Sequence, residues 1–327
     1  HGPYPVVIIR TPYGQFRHAE FGQSFFAERG YAVLYQNTRG RFGSDGEFVP
    51  VDHERQDGAA TVRWVREQMW CNGQVAVYGV SYLGFTAWAC VGEAKPGEIQ
   101  AALPFITQSR VHSAAFGAGG SVSLELIVLW FFLVWKVLLV RAPLEAWRTI
   151  RGALPTISDA TMHTPLLDLD QVLLGRKVAF YQEGLAEPDA DGPFWRHRDV
   201  LCELRPGKPG ATVPPPIHIV TGWYDFFLAE AIRDFERAAA VQRDARLTVG
   251  AHDHWGLLHL PHLRVAYRQA LALLDEELGP LPPPGVPQGA AADRDFPPLP
   301  AYTERRAAVV AAAGAPAADA ERSAELR

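Results

Sequence analysis

Cysteine is scarce: three residues in 327, Cys71, Cys90 and Cys202, an odd number without metal-ligand spacing. That usage favours a reducing compartment and a cytoplasmic location. Basic residues are not in excess either. A formal net charge of -5 and a pI near 6.1 argue against a nucleic-acid surface. The apolar run Leu126 to Val140 falls short of the ~20 residues that a membrane helix needs, and Lys136 interrupts it. It reads as a buried helix. Gly40 to Gly46 carries glycine and alternating charge but lacks the lysine and spacing of a phosphate loop. Arg39, Arg41 and Asp45 are therefore expected to form scaffold ion pairs.

What the chain does have is apolar patterning. Hydrophobic residues make up 48% of it, enough at 327 residues for a full α/β core and a smaller cap. Strand and helix signals alternate as a parallel sheet requires. Strands are expected at Pro5 to Arg10, Tyr31 to Tyr35, Val75 to Val80 and Ala101 to Ile106, with helices at Glu20 to Arg29 and Glu54 to Met69. The sheet pattern then stops for an insertion rich in helical signals. It resumes at Ile217 and again at Arg246 to Gly250.

The most informative segment is Val75 to Gly84, in which an apolar β-branched run ends in Gly79-Val80-Ser81-Tyr82-Leu83-Gly84. This is the form of a nucleophile elbow, a strained strand-to-helix turn that lifts a serine hydroxyl above a sheet. The bland alternative is an ordinary glycine-rich turn. A serine nucleophile needs a base, and the base an orienting carboxylate, in the chain order Ser, Asp or Glu, His. Asp225 ends one later strand and His254 follows another, at the carboxyl ends where open α/β sheets gather active-site groups. His254 would take the proton from Ser81 while Asp225 fixes the imidazole. Asp225 also reads as a helix N-cap, and His254 as a loop histidine. The backbone N–H of Tyr82 and the loop Thr11 to Gly14 are the places for an oxyanion hole. The whole reads as an α/β-hydrolase fold, a mostly parallel sheet with an inserted helical cap.

Arg10 to Gly14, Gln36 to Phe48, Trp70 to Gly73, the elbow, Gly222 to Asp225 and Gly250 to His254 together resemble the cocaine esterase and X-Pro dipeptidyl-peptidase family over residues 1 to 278. The resemblance implies that Tyr13 donates its hydroxyl to the oxyanion. Two departures stand out. Ala251-His252-Asp253 replaces the family's Pro-Trp-Ser before the histidine, leaving His252 as a rival base. Room for the family's C-terminal jelly roll is also lacking. The N-terminus reads as incomplete, and exposed surface as prone to self-association. The expected domains are a discontinuous catalytic unit, 1–110 and 206–278, a helical cap, 111–205, and a Pro/Ala-rich disordered tail, 279–327. Trp130, Phe131, Trp135 and Phe227 are expected in the substrate pocket.

The implied activity is hydrolysis of an ester or amide acyl group through an acyl-enzyme, with no cofactor, no metal and no membrane. The partner is a small-molecule ester or a short peptide. X-Pro dipeptidyl-peptidase and α-amino-acid ester hydrolase or acylase activity are the alternatives within that chemistry. A metal-dependent hydrolase built on His252, Asp253, His254, His259 and His262, and an inactive hydrolase-like binding domain, are the alternatives outside it.

Overall fold

The computed structural model describes residues 3–14, 22–117, 120–132, 159–201, 213–242 and 244–279, without the side chains of Glu125, Phe131 and Phe132. Trp135, Cys202, residues 133–158 of the expected cap and the expected tail from 280 onward lie outside the described residues.

Six strands form one sheet: β1 (Tyr4–Thr11), β2 (Ala32–Asn37), β3 (Cys71–Val80), β4 (Ala101–Phe105), β5 (Ile217–Tyr224) and β6 (Ala245–Asp253). Their order is β2-β1-β3-β4-β5-β6, and every neighbouring pair is parallel. The apolar runs follow from this arrangement, since a strand covered on both faces buries every side chain. All of β4 is buried, as is β1 after its first residue. The chain winds from β1 outward to β2, then back across to β3. Such a reversal opens a crevice beyond the carboxyl ends of the two strands between which it occurs. Here those strands are β1, which leads into Tyr13, and β3, which leads into Ser81.

Helices cover both faces. On one face, α1 (Gln23–Ala27) contributes Phe26, and the long helix Leu260–Leu278 contributes Tyr267, Ala270 and Leu274. On the other, α2 (Glu54–Arg66) packs Val62 and Val65, and α3 (Tyr82–Glu93) packs Phe85 and Trp88, beside Ala231 and Ala238 of helix Leu228–Ala239. Each fully buried Val, Leu or Phe side chain among these contributes about 1.5–3 kcal/mol. Between β4 and β5 a third cluster, with Val128, Leu169, Leu173 and Tyr181, belongs to the helical insertion.

Several boundaries differ from the sequence expectation. α2 ends at Arg66, and Cys71 N–H then bonds Gln68 O at 3.0 Å, turning the chain early into β3. β6 runs three residues past Gly250 because Tyr224 and Asp253 still pair after a register shift. Of the residues expected as scaffold ion pairs, Arg39 pairs with Asp57 of α2. Arg39 Nε donates to Asp57 of α2 at 2.9 Å, and Arg41 Nε donates to Pro12 O at 2.7 Å. Asp45 contributes its backbone carbonyl to Gly40 N–H. The Arg41 bond holds the loop after β1 in place.

His218, on β5, is buried with Nε2 2.9 Å from Thr248 Oγ1. Burial, reinforced by Arg246, pushes its pKa down to about 4. The unfolded chain binds this proton at about pH 6.5 and the folded chain does not, so His218 subtracts stability as pH falls from about 6.5 to 4. The full effect is about 3 kcal/mol. Asp234, pushed up to about 7 by burial, acts in the opposite sense over an overlapping window. The difference between wild type and His218→Asn in denaturant midpoints from pH 7 to 4.5 therefore isolates the histidine. The variant should lose less stability on acidification; parallel curves would remove His218 from the account.

Candidate active site

Ser81 stands at φ 60°, ψ -124°, between β3 and α3. A non-glycine residue rarely adopts that conformation, which costs about 1–3 kcal/mol and persists only when surroundings enforce it. They do so here. Ser81 N–H bonds Phe105 O at 2.9 Å, and Ser81 O accepts from Phe85 N–H at 3.0 Å and from Thr107 Oγ1 at 2.7 Å. The flanking glycines have no substitute. A Cβ on Gly79 would lie 2.1 Å from Leu83 C, and one on Gly84 would lie 2.6 Å from Thr107 Cγ2.

Asp225 and His254 reach the same point from β5 and β6. His254 Nε2 is 3.0 Å from Ser81 Oγ, and its Nδ1 is 3.0 Å from Asp225 Oδ2. An ionised carboxylate only accepts, so Nδ1 carries the proton and Nε2 is left to accept the serine hydroxyl. Both histidine and carboxylate are buried, each about 5% exposed, so water competes weakly for either bond. Asp225 is not the N-cap of the helix Leu228–Ala239, a position that Phe227 holds. Its Oδ1 accepts Phe227 N–H at 2.7 Å, as a turn cap would, while Oδ2 serves the imidazole. Phe226, absent from the sequence reading, stacks on the His254 ring with centroids 4.2 Å apart. Its only signal was adjacency to Asp225.

His252 is turned elsewhere. Its Nδ1 lies 2.9 Å from Asp253 O, and its ring meets His262 at 5.0 Å. Among the described residues, no group of three His, Cys, Asp or Glu side chains is gathered as metal ligands.

Tyr13 follows β1, with its N–H on Thr11 Oγ1 at 3.1 Å and the preceding Pro12 carbonyl held by Arg41. Its hydroxyl accepts from Trp130 Nε1 at 3.4 Å. Burial pushes the Tyr13 pKa up to about 12, so the group is a neutral donor at ordinary pH. Tyr82 opens α3, and its N–H is one of the amides that a helix start leaves without an intrahelical partner. The Tyr82 hydroxyl donates to Glu54 Oε1 at 3.1 Å and accepts Val51 N–H at 2.8 Å. Glu54 is buried against Arg10 at 3.0 Å. Burial raises the pKa of Glu54 even so.

These groups open on a cavity of about 370 Å³. Its walls include Val80, Phe85, Phe116, Phe180 and Trp195, with Trp130 and Phe227 among them as well. The side chain of Phe131 and the whole of Trp135 lie outside the described residues. Phe180 and Trp195 were not expected in the pocket, because their short helices, Ala179–Ala186 and Pro193–Arg196, give no local sign of facing it.

A parallel sheet with a strained serine after β3, bonded to a histidine and an aspartate from two later strand ends, defines the α/β-hydrolase class. Within it, the chain belongs to the X-Pro dipeptidyl-peptidase (S15) family, whose model matches residues 1–256. It is 34% identical over 268 residues to cocaine esterase of Rhodococcus sp. (strain MB1 Bresler), an alignment covering 78% of this chain and 45% of that one. The chain thus spans less than half the length of this curated relative. Among solved structures, it is similar to an α-amino acid ester hydrolase, with 16% identity, 88% of this chain and 51% of that chain covered, and a TM-score of 0.64. A CocE/NonD family hydrolase from Staphylococcus aureus gives 17% identity, 85% and 46% coverage, and a TM-score of 0.58. At those identities the structural likeness speaks for the fold. No described helix is long and apolar enough to cross a membrane.

Proposed function

We propose that this chain is a serine hydrolase that cleaves an ester of a neutral, apolar acyl group through an acyl-enzyme. The observation that carries the reading is the bonded series Ser81, His254, Asp225 at the floor of an apolar cavity. In this reading His254 Nε2 takes the Ser81 proton as Oγ attacks the carbonyl. The tetrahedral oxyanion forms against the Tyr13 hydroxyl and the Tyr82 N–H. His254 then returns the proton to the leaving alcohol, and the acyl group stays on Ser81. Water, deprotonated by the same imidazole, releases the acid. Residues 111–205 act as the cap, and 1–110 with 206–278 as the catalytic unit.

The cavity also supports the choice of ester over free-amine substrate. A dipeptidyl-peptidase or an α-amino-acid ester hydrolase must hold an ammonium group, and a buried ammonium needs a counter-charge. Among the described residues lining the cavity there is no Asp or Glu, while aromatic and aliphatic side chains surround Ser81. The relative named cocaine esterase is in keeping with this choice.

A panel of substrates tests it. Aryl esters of benzoic and butyric acids should be turned over with an initial burst. Esters of free α-amino acids and X-Pro amides should be at least about 10²-fold poorer in kcat/KM, the scale of an uncompensated buried charge. Preference for the free-amine substrates would transfer the chain to the peptidase reading.

A further inference from the structure

Both tyrosines assigned to the oxyanion hole touch one residue of the insertion, Tyr13 through its hydroxyl and Tyr82 through its ring. Trp130, on helix Leu124–Phe132, donates its indole N–H to the Tyr13 hydroxyl at 3.4 Å. The same indole lies parallel to and offset from the Tyr82 ring, with centroids 6.0 Å apart and planes 10° apart. The Tyr13 and Tyr82 rings meet edge to face at 6.1 Å. Tyr82 is fixed from its other end, where its hydroxyl engages Glu54 and Val51 N–H. Among the described residues, the bond at the tip of Tyr13 is the one from Trp130. Its backbone is held by Thr11 and Arg41, but its hydroxyl is oriented by Trp130.

A tyrosine hydroxyl has one proton to give and two lone pairs to accept with. An N–H donated into a lone pair leaves the O–H free to point at a third group. It also polarises the oxygen, making the O–H a stronger donor to developing charge. The indole therefore does more than fill space against an acyl chain.

We propose that Trp130 is a positioning residue of the oxyanion hole: its indole N–H aims the Tyr13 hydroxyl, so that the geometry of this donor depends on the seating of the inserted helix. This rests on the serine-hydrolase reading above. It separates that helix from a passive lid, because a helix displaced from Tyr13 would leave Ser81, His254, Asp225 and the Tyr82 N–H in place and the Tyr13 hydroxyl unaimed.

A positioning role and a pocket-wall role predict different kinetics. Trp130→Phe keeps an aromatic face on Tyr82 and removes the N–H. It should lower kcat about three- to tenfold, the worth of one neutral hydrogen bond, with KM nearly unchanged. The loss should be equal for an aryl acetate and an aryl benzoate, because it arises at the oxyanion and not at the acyl chain. Tyr13→Phe alone should lower kcat by about 10²–10³, as loss of one oxyanion donor does. In that background Trp130→Phe should cost less than about twofold, since the bond it breaks no longer exists. Replacing Trp130 with benzothienylalanine, which keeps the ring size and has no N–H, repeats the test if the phenylalanine variant folds poorly. A loss that persists in the Tyr13→Phe background, or one that appears with benzoate and not with acetate, would overturn the proposal in favour of a pocket wall. Labelling of Ser81 by a fluorophosphonate separates the two levels: wild type that labels while the cycle shows no coupling sinks only the Trp130 role, and wild type that does not label sinks the hydrolase reading with it.

Discussion

Ser81→Ala is expected to lower kcat by about 10⁶, as nucleophile removal does in other serine hydrolases. The size follows from what remains. His254 keeps its bond to Asp225 and Tyr13 keeps its hydroxyl, so water attack is still assisted, but no residue carries the acyl group between steps. The burst with an aryl ester should disappear together with the covalent adduct seen by mass spectrometry. Stability should change little, because alanine at φ 60° bears the same strain as serine. Ser81→Gly supplies the control: it should be equally inactive yet more stable, since glycine occupies positive φ without penalty. An alanine variant that retained the burst would end the serine-hydrolase reading.

The elbow was legible in the sequence because its constraints are local. A β-branched run, two glycines and a serine in six residues leave few other conformations, and the close approaches at Gly79 and Gly84 show why. Asp225 and His254 were legible only by chain order and strand ends; the distances between them depend on the β5–β6 register, which pattern does not encode. The same register determines where β6 stops, and the sequence put that end three residues too early. Contacts between distant segments were illegible. Glu54 reads as the first residue of an amphipathic helix, yet it is a buried partner of Arg10 and Tyr82. Trp130 reads as an apolar residue in an apolar run. Nothing near it in sequence signals that its N–H meets a tyrosine 117 positions away.

His254→Ala should approach the loss expected for Ser81→Ala, about 10⁶ in kcat, because nucleophile and base act as a unit. His252→Ala should stay within about tenfold of wild type. The two imidazoles are two residues apart, and the end of β6 decides between them. Asp253 still pairs with Tyr224, so the strand holds His252 in its ladder, and the chain turns only after it. His252 is thereby packed under Gly222, where an added Cβ would meet its carbonyl at 2.0 Å, and against His262. His254, past the strand end, is the ring that spans Asp225 and Ser81. Removal of His252 should thus appear as a lower melting temperature, with KM and the burst preserved. Removal of His254 should leave the melting temperature near wild type and abolish acylation. Added imidazole should restore part of that acylation, since the vacated volume lies between the serine and a carboxylate that is still in place. Severe loss from His252→Ala without unfolding, together with a mild effect of His254→Ala, would reverse the assignment and require β6 to end before residue 252.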